Sequence, residues 1–266
     1  MNNYAMVLTT CDSYYDVAKH FFPILNIYWK DFNANCYVIN ETSKKSYGYS
    51  KEIIINAGNT RTWIERLEYG LSRVKEKYIL FMMDDYYLGK TVSNQEINHF
   101  VDYMIAHKIV YLDLRNNLHY KTKLVDSFSL IPKNVLYGIS LQASIWNKEY
   151  LLSLLRGKKG TAWEVENIFN GQISDVKNTF YDGFLAFPNN ALNIQNGIIK
   201  GKWDKTVINF YKKRNYAIDK GNRELLPRKE NLRMNIHSFF LKHFSTKTIR
   251  RLKKILGRFG FKFVTD

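Results

Sequence analysis

Cysteine is scarce, with only Cys11 and Cys36 among 266 residues. Two cysteines do not frame a chain of this length with disulfides, and no zinc-type spacing accompanies them. Each falls near the end of an expected strand, where a buried free thiol is the plain expectation. The six histidines (His20, His99, His107, His119, His237 and His243) also lack metal-ligand spacing. No P-loop, GxGxxG or GxSxG stretch occurs, which weakens kinase, dehydrogenase and α/β-hydrolase assignments. The opening MNNYAMVLTT has no basic start leading into a long apolar stretch, so no signal peptide is expected. No run of about 18 uninterrupted apolar residues is present, so no membrane-spanning helix is expected. These absences together predict a cytoplasmic protein. Internal repeats and low-complexity linkers are missing as well.

What is present is a basic, aromatic chain. Aromatic residues make up 15% of it, including 19 tyrosines, and hydrophobic residues 45%. That apolar share suffices for a sizeable core. Tyrosine suits a core, and it also suits a carbohydrate cleft, because its ring offers an apolar face and a hydroxyl. The net charge of +16 is unevenly spread. Residues 1–199 hold 21 basic and 19 acidic side chains, whereas residues 200–266 hold 19 basic and 5 acidic ones. A nearly neutral body with a basic tail points to an anionic partner for the tail.

Hydrophobic patterning predicts strands over 4–10, 35–40, 52–55, 78–83 and 109–114. Helices are expected over 14–29, 60–77 and 94–107. Thr60 or Thr62 is the expected cap of the second helix, and Pro23 a boundary or kink in the first. Strands alternating with helices imply βαβ units and a mostly parallel sheet covered on both faces. Further on, 135–146 and 178–187 read as strand, and 148–156 and 161–170 as short helices. The expected domains are an α/β unit over 1–204 and a basic extension over 205–266. Within that extension, Ser245 or Thr246 is placed to cap a helix bearing Ile249, Leu252, Ile255, Leu256 and Phe259 on one side. Arg250, Arg251, Lys253, Lys254 and Arg258 fall mostly on the other side. Phe239, Phe240, Leu241 and Phe244 precede it. This pattern fits an anionic membrane surface first, a protein partner second, and nucleic acid last, so no nucleic acid is expected as a partner.

The sharpest local feature is Asp84-Asp85, directly after the apolar run YILFMM. Ligands of open α/β sheets bind beyond the carboxyl ends of the strands. Two carboxylates there suit a divalent ion on a diphosphate, or equally a solvated turn or a cap. Four stretches, VLTTCDSY, TRTWIERLEYGLSRVKEKYILFMMDDYYL, SLQASIWNKEYLLSLL with TAWEVE, and NGIIKGKW, together resemble the GT-A glycosyltransferases that build bacterial surface glycans such as capsule and lipopolysaccharide. The resemblance spans residues 4–203. It implies a Rossmann-like GT-A fold and transfer of a sugar from a nucleoside diphosphate-sugar, a UDP-sugar being favoured, to a glycan or lipid-linked glycan at the inner face of the plasma membrane.

Roles follow by position in the resemblance. Thr9, Thr10, Asp12, Asn40 and Glu41 would meet the nucleoside, and Arg61 and Trp63 the sugar nucleotide, with Trp63 equally suited to anchor the core. MDDY stands where the family carries D-x-D, but its aspartates are adjacent, which leaves a need for Mg²⁺ or Mn²⁺ at Asp84 and Asp85 open. No organic cofactor is implied. Asp85 is favoured as the more essential of the pair. Glu166 is expected as the base for the acceptor hydroxyl, with Glu164 in reserve. Glu164 also fits a structural capping box with Thr161. Trp163 and Gln142 would face the acceptor, and Lys200 and Lys202 the diphosphate. A nucleotidyltransferase is the main alternative, weakened because VLTTCDSYYD has no glycine. A non-catalytic nucleic-acid-binding protein is the other.

Overall fold

The computed structural model describes residues 3–115, 123–135, 138–170, 179–227 and 230. The chain opens with strand β1 (Tyr4–Thr9), helices α1 (Tyr15–Ala18) and α2 (Phe21–Tyr28), and strands β2 (Cys36–Asn40) and β3 (Glu52–Asn56). Helix α3 (Trp63–Leu71) leads into β4 (Tyr78–Met83) and the short β5 (Tyr86–Tyr87). Helix α4 (Asn94–Ala106), β6 (Tyr111–Asp113), β7 (Leu124–Val125), β8 (Phe128–Pro132) and β9 (Ser144–Asn147) follow. Helices α5 (Lys148–Leu155) and α6 (Ala162–Asn170) precede β10 (Phe180–Ala186), β11 (Gln195–Asn196), β12 (Ile198–Ile199), β13 (Lys202–Trp203) and helix α7 (Lys205–Lys212).

Nine strands form one sheet in the order β3-β2-β1-β4-β9-β6-β10-β8-β7. The first four are parallel and run in the order of a doubly wound Rossmann half. The chain leaves β1 toward β2 on one side and returns to β4 on the other. The carboxyl ends of β1 and β4 therefore flank the switch point, where such sheets leave a crevice. Strand β9 enters antiparallel between β4 and β6 and completes the Rossmann-like α/β sheet that the sequence predicts.

The strands pack by alternation, since successive side chains point to opposite faces. Tyr4, Met6, Leu8, Leu80 and Met82 join the core formed with α2 and α4. Ala5, Val7, Ile79 and Phe81 join the core formed with α3, α5 and α6. With both faces covered, β1 and β4 can be apolar throughout, as their sequences are. Gly70 lets α3 approach β2: a Cβ there would lie 2.3 Å from Ile39 Cδ1. Thr62 caps α3 in a reciprocal capping box with Glu65. Pro23 sits in the first turn of α2, where its missing N–H costs nothing.

Several secondary-structure expectations are corrected in detail. The helix expected over 14–29 divides into α1 and α2, and the one over 60–77 is confined to Trp63–Leu71. The strand expected over 135–146 is present only as β9, while β8 falls where no strand was expected. A continuous apolar run marks burial without distinguishing a strand from an irregular buried segment. By compactness the chain divides into Met1–Arg223 and Glu224–Asp266. Helix α7 belongs to the first because it buries Val207 and Tyr211, and the Tyr211 hydroxyl donates to the Leu88 carbonyl at 2.7 Å. The tail helix expected after Ser245, with its preceding aromatic cluster, lies outside the described residues. Among the described residues no helix is long and apolar enough to cross a membrane.

Candidate active site

At the switch point, Thr10 follows β1 and Asp84 follows β4. The Thr10 hydroxyl donates to Asp84 Oδ2 at 2.7 Å, bridging the two strand ends, and both residues are buried. Burial raises the Asp84 pKa well above the ordinary carboxylate value; the neighbouring Asp85 charge adds to this, and Thr10 and Arg223 oppose it. Asp85 is half-buried, and its pKa is pushed up to about 6 by desolvation. The Ile198 N–H, donating to Asp85 Oδ2 at 3.3 Å, and the Arg115 charge work against that shift.

Glu166 reaches the same neighbourhood from α6. Its Oε1 accepts the Leu141 N–H at 2.9 Å, and its walls include Ile139, Trp146, Val165 and Phe169. Burial raises its pKa, while the Leu141 N–H and Arg115 lower it. Asp85 and Glu166 both act on the buried Tyr86 phenol, whose pKa is raised mainly by burial. Tyr86 and Arg115 thus lie within electrostatic reach of both carboxylates.

A third wall is the hairpin of β12 and β13. Its turn residues Lys200 and Gly201 both have positive φ, +50° and +76°. That is the twist a tight two-residue hairpin needs. The hairpin is fastened on both sides. The Gly197 N–H donates to the Asp85 carbonyl at 2.8 Å, and Arg223 Nη1 donates to the Gly201 carbonyl at 3.0 Å. Arg223 also grips Asp16 through two bonds of 2.9 and 2.8 Å, donates to the Ser13 carbonyl at 2.9 Å, and lies over the Tyr14 ring at 4.3 Å.

The expected nucleoside residues interlock. Asp12 Oδ1 accepts the Thr42 and Ser43 N–H groups at 3.1 and 2.9 Å, and the Asp12 N–H donates to Glu41 Oε2 at 3.0 Å. The hydrogen bond from the Thr42 hydroxyl is the largest cause of the lowered Asp12 pKa. Glu41 also pairs with Arg66 at 3.1 Å. Asn40 is fully buried; its amide donates to the Ser43 carbonyl at 3.2 Å, while its Oδ1 has no partner among the described residues. Thr9 is buried at the end of β1.

Other expected residues are engaged elsewhere. Arg61 is exposed, donates to the Ala57 carbonyl and lies over the Tyr69 ring at 4.5 Å. Trp63 packs edge-on against Phe81 at a centroid distance of 6.3 Å. Glu164 accepts the Thr161 N–H and, at 3.0 Å, the Thr161 hydroxyl, so it serves as a cap. Trp163 is 54% exposed. Gln142 is half-buried in the loop before β9, where its carbonyl accepts the Ser144 hydroxyl at 2.6 Å. Lys200 is exposed at the hairpin tip and Lys202 is half-buried on β13.

Sequence reasoning missed Tyr14, Arg115 and Arg223. Arg115 stands one residue beyond the strand expected over 109–114, so the strand-end rule that selected Asp84 would also have found it. Nothing in the sequence separates Arg223 from the other cations of the basic segment.

Among the described residues no three His, Cys, Asp or Glu side chains gather to hold a metal ion. Asp84 and Asp85 are nonetheless compatible with one. They are adjacent, largely withdrawn from water, raised in pKa, and without an ion-pair partner among the described residues. Mg²⁺ commonly takes only one or two carboxylates and completes its shell with water and substrate phosphate.

No family model matches the chain, and no curated protein matches it. Solved structures with a similar fold include Staphylococcus aureus TarS 1–349 at a TM-score of 0.44 and 11% identity, covering 72% of this chain and 59% of that one. A cytidylyltransferase from Leptospira borgpetersenii aligns at 0.46 and 12%, covering 85% of this chain and 100% of that one. CMP:2-keto-3-deoxy-manno-octonic acid synthetase complexed with CTP aligns at 0.38 and 7%, covering 64% and 84%. The chain spans 59% of the TarS fragment's length. At this level of likeness none of the three bears on what this chain does, and its function is read from its own geometry.

Proposed function

We propose that the chain is a glycosyltransferase that moves a sugar from a nucleoside diphosphate-sugar, preferably a UDP-sugar, to a hydroxyl of a surface-glycan acceptor. One observation carries this: Thr10, Asp84 and Asp85 gather at the switch point between β1 and β4, and a half-buried carboxylate, Glu166, lies within electrostatic reach of the same Tyr86 and Arg115 as Asp85. Glu166 takes the acceptor hydroxyl proton. The freed oxygen forms a bond to the anomeric carbon, and the bond from that carbon to the phosphate oxygen breaks. The nucleoside diphosphate leaves with the electron pair and the anomeric configuration inverts. A carboxylate whose pKa is raised toward the working pH suits this role.

Asp84 and Asp85 would hold Mg²⁺ or Mn²⁺, which would supply positive charge to the diphosphate. Lys200 and Lys202, on the hairpin tied to Asp85, would assist its departure. Thr9, Asp12, Asn40 and Glu41 would line the nucleoside end, and Trp163 and Gln142 the acceptor side. Residues 231–266 would hold the enzyme to an anionic membrane surface, a role argued from their sequence alone.

The test is transfer or donor hydrolysis by the purified protein with a panel of nucleoside diphosphate-sugars, with and without Mn²⁺. Glu166→Gln is expected to lose about 10²–10⁴-fold in kcat, the usual worth of a positioned base. Asp85→Asn is expected to lose donor turnover as well. Full activity in both variants overturns the assignment. Formation of a nucleotide-sugar from a nucleoside triphosphate and a sugar phosphate would instead make the chain a nucleotidyltransferase.

A further inference from the structure

Arg115 carries a donor group that nothing among the described residues occupies. Its backbone N–H is fixed by Asp113 Oδ1 at 3.0 Å, just beyond the end of β6. The guanidinium lies 5.4 Å from the centre of the Tyr86 ring, and Tyr86 follows Asp85 directly. Nη1 is buried and, among the described residues, has no hydrogen-bond partner. Among the described residues no carboxylate comes within ion-pair distance of it, although Asp85 and Glu166 both feel its charge. Arg223 differs, since each of its three nitrogens is engaged by Asp16 or by the Ser13 and Gly201 carbonyls. A buried donor left without a partner is costly, more so on a charged group, and such a group calls for an explanation.

We propose that Arg115 is a substrate-binding residue whose free guanidinium edge receives an oxyanion, a phosphate or carboxylate oxygen of the substrate, between Asp85 and Glu166. Arginine is suited to this because its planar fork pairs with such groups through parallel N–H bonds. The position is also specific. The donor's diphosphate and an acidic sugar are the two sources that could bring an oxyanion between a strand-end acid and a half-buried base. This inference rests on the crevice being the donor site, and the experiment separates the two.

Uridine diphosphate, pyrophosphate, glucuronate and uridine are titrated by calorimetry into the full-length wild type, Arg115→Gln and Arg115→Lys, and thermal unfolding of each free protein is recorded. Uridine diphosphate and pyrophosphate are expected to bind Arg115→Gln at least tenfold more weakly than wild type, with part of the loss restored in Arg115→Lys and uridine unaffected. Loss confined to glucuronate assigns the oxyanion to a sugar carboxylate and supports the proposal equally. The free Arg115→Gln protein is expected to unfold no earlier than wild type, because the buried Nη1 donor it loses has no partner among the described residues. A purely structural arginine would instead lower the midpoint. Equal affinities of wild type and Arg115→Gln for all three oxyanions overturn the proposal, as does wild type binding none of them. Arg115-dependent pyrophosphate binding together with absent uridine binding would sustain Arg115 and remove the nucleotide-sugar function.

Discussion

At the scale of the residue, the crevice stores unfavourable charge. Asp85 is raised from 3.8 to about 6 chiefly because it is withdrawn from water. Below about pH 4 the carboxyl is protonated in both folded and unfolded chains, and its burial as a charge costs nothing. Between about pH 4 and 6 the unfolded chain is ionised while the folded one still holds its proton. Above about pH 6 the full penalty is present, so this group makes the protein less stable as pH rises through that window. Asp85→Asn removes the charge and keeps the shape. It is expected to be more stable than wild type by about 1–3 kcal/mol at pH 7.5, with the advantage fading toward pH 4. Denaturant unfolding at the two pH values checks this. A variant no more stable than wild type at pH 7.5 would show that the charge is already compensated. The same substitution is expected to abolish donor turnover, so stability and activity should move in opposite directions, as at sites that hold charge for substrate.

At the scale of the element, the hairpin of β12 and β13 is the part of the crevice that a mutation can move without touching a carboxylate. Its turn needs positive φ at Lys200 and Gly201. A side chain at Gly201 costs about 1–2 kcal/mol in that backbone conformation. Gly201→Ala is therefore expected to lower the unfolding midpoint. By loosening the Ile198 N–H from Asp85, it should also raise KM for the donor more than it lowers kcat. Lys200→Gly relieves the same conformation and is expected to stabilise the fold. Its effect on kcat reports whether the lysine charge reaches the diphosphate, and steady-state kinetics on both variants separate geometry from charge. This hairpin also shows where sequence reading runs out. Strands β1 and β4 were legible because burial on both faces leaves them uniformly apolar, and the acidic pair was legible because it ends such a run. Strands of two residues carry no period, so NGIIKGKW could be marked as a basic loop but not as a hairpin seated on Asp85. Glu164 was legible as a cap from the T-x-x-E spacing, whereas Arg61 could not be kept from a phosphate by sequence alone. Its engagement with Ala57 and Tyr69 depends on the local turn before α3.

At the scale of the whole chain, charge and fold divide in different places. The excess of basic residues begins near position 200, yet the first compact unit continues to Arg223. The cations of α7 lie on its outward side while Val207 and Tyr211 face the core, so a basic composition there hides an integral helix. The strap that follows is structural as well. His20 bonds Tyr216 and the Asp219 carbonyl at 2.8 and 2.9 Å, and Trp203 Nε1 donates to the Lys220 carbonyl at 3.1 Å. Cutting the chain at the charge boundary, after 204, would remove α7 and Arg223 together and expose Leu88 and the hairpin. Ending it after residue 230 keeps every contact described above for the first unit. The shorter chain is expected to unfold as a drastically destabilised or aggregated protein. The longer one should keep the wild-type midpoint within a few degrees and retain donor hydrolysis. If residues 231–266 bind lipid as their sequence suggests, the chain ending at 230 should also stop floating with vesicles containing anionic lipid. The full chain should float, and should release as salt screens the attraction between its Lys and Arg side chains and the headgroups. Flotation that survives the truncation would transfer the membrane contact to the first unit. Hydrolysis that fails despite an unchanged midpoint would place part of the catalytic machinery in the tail.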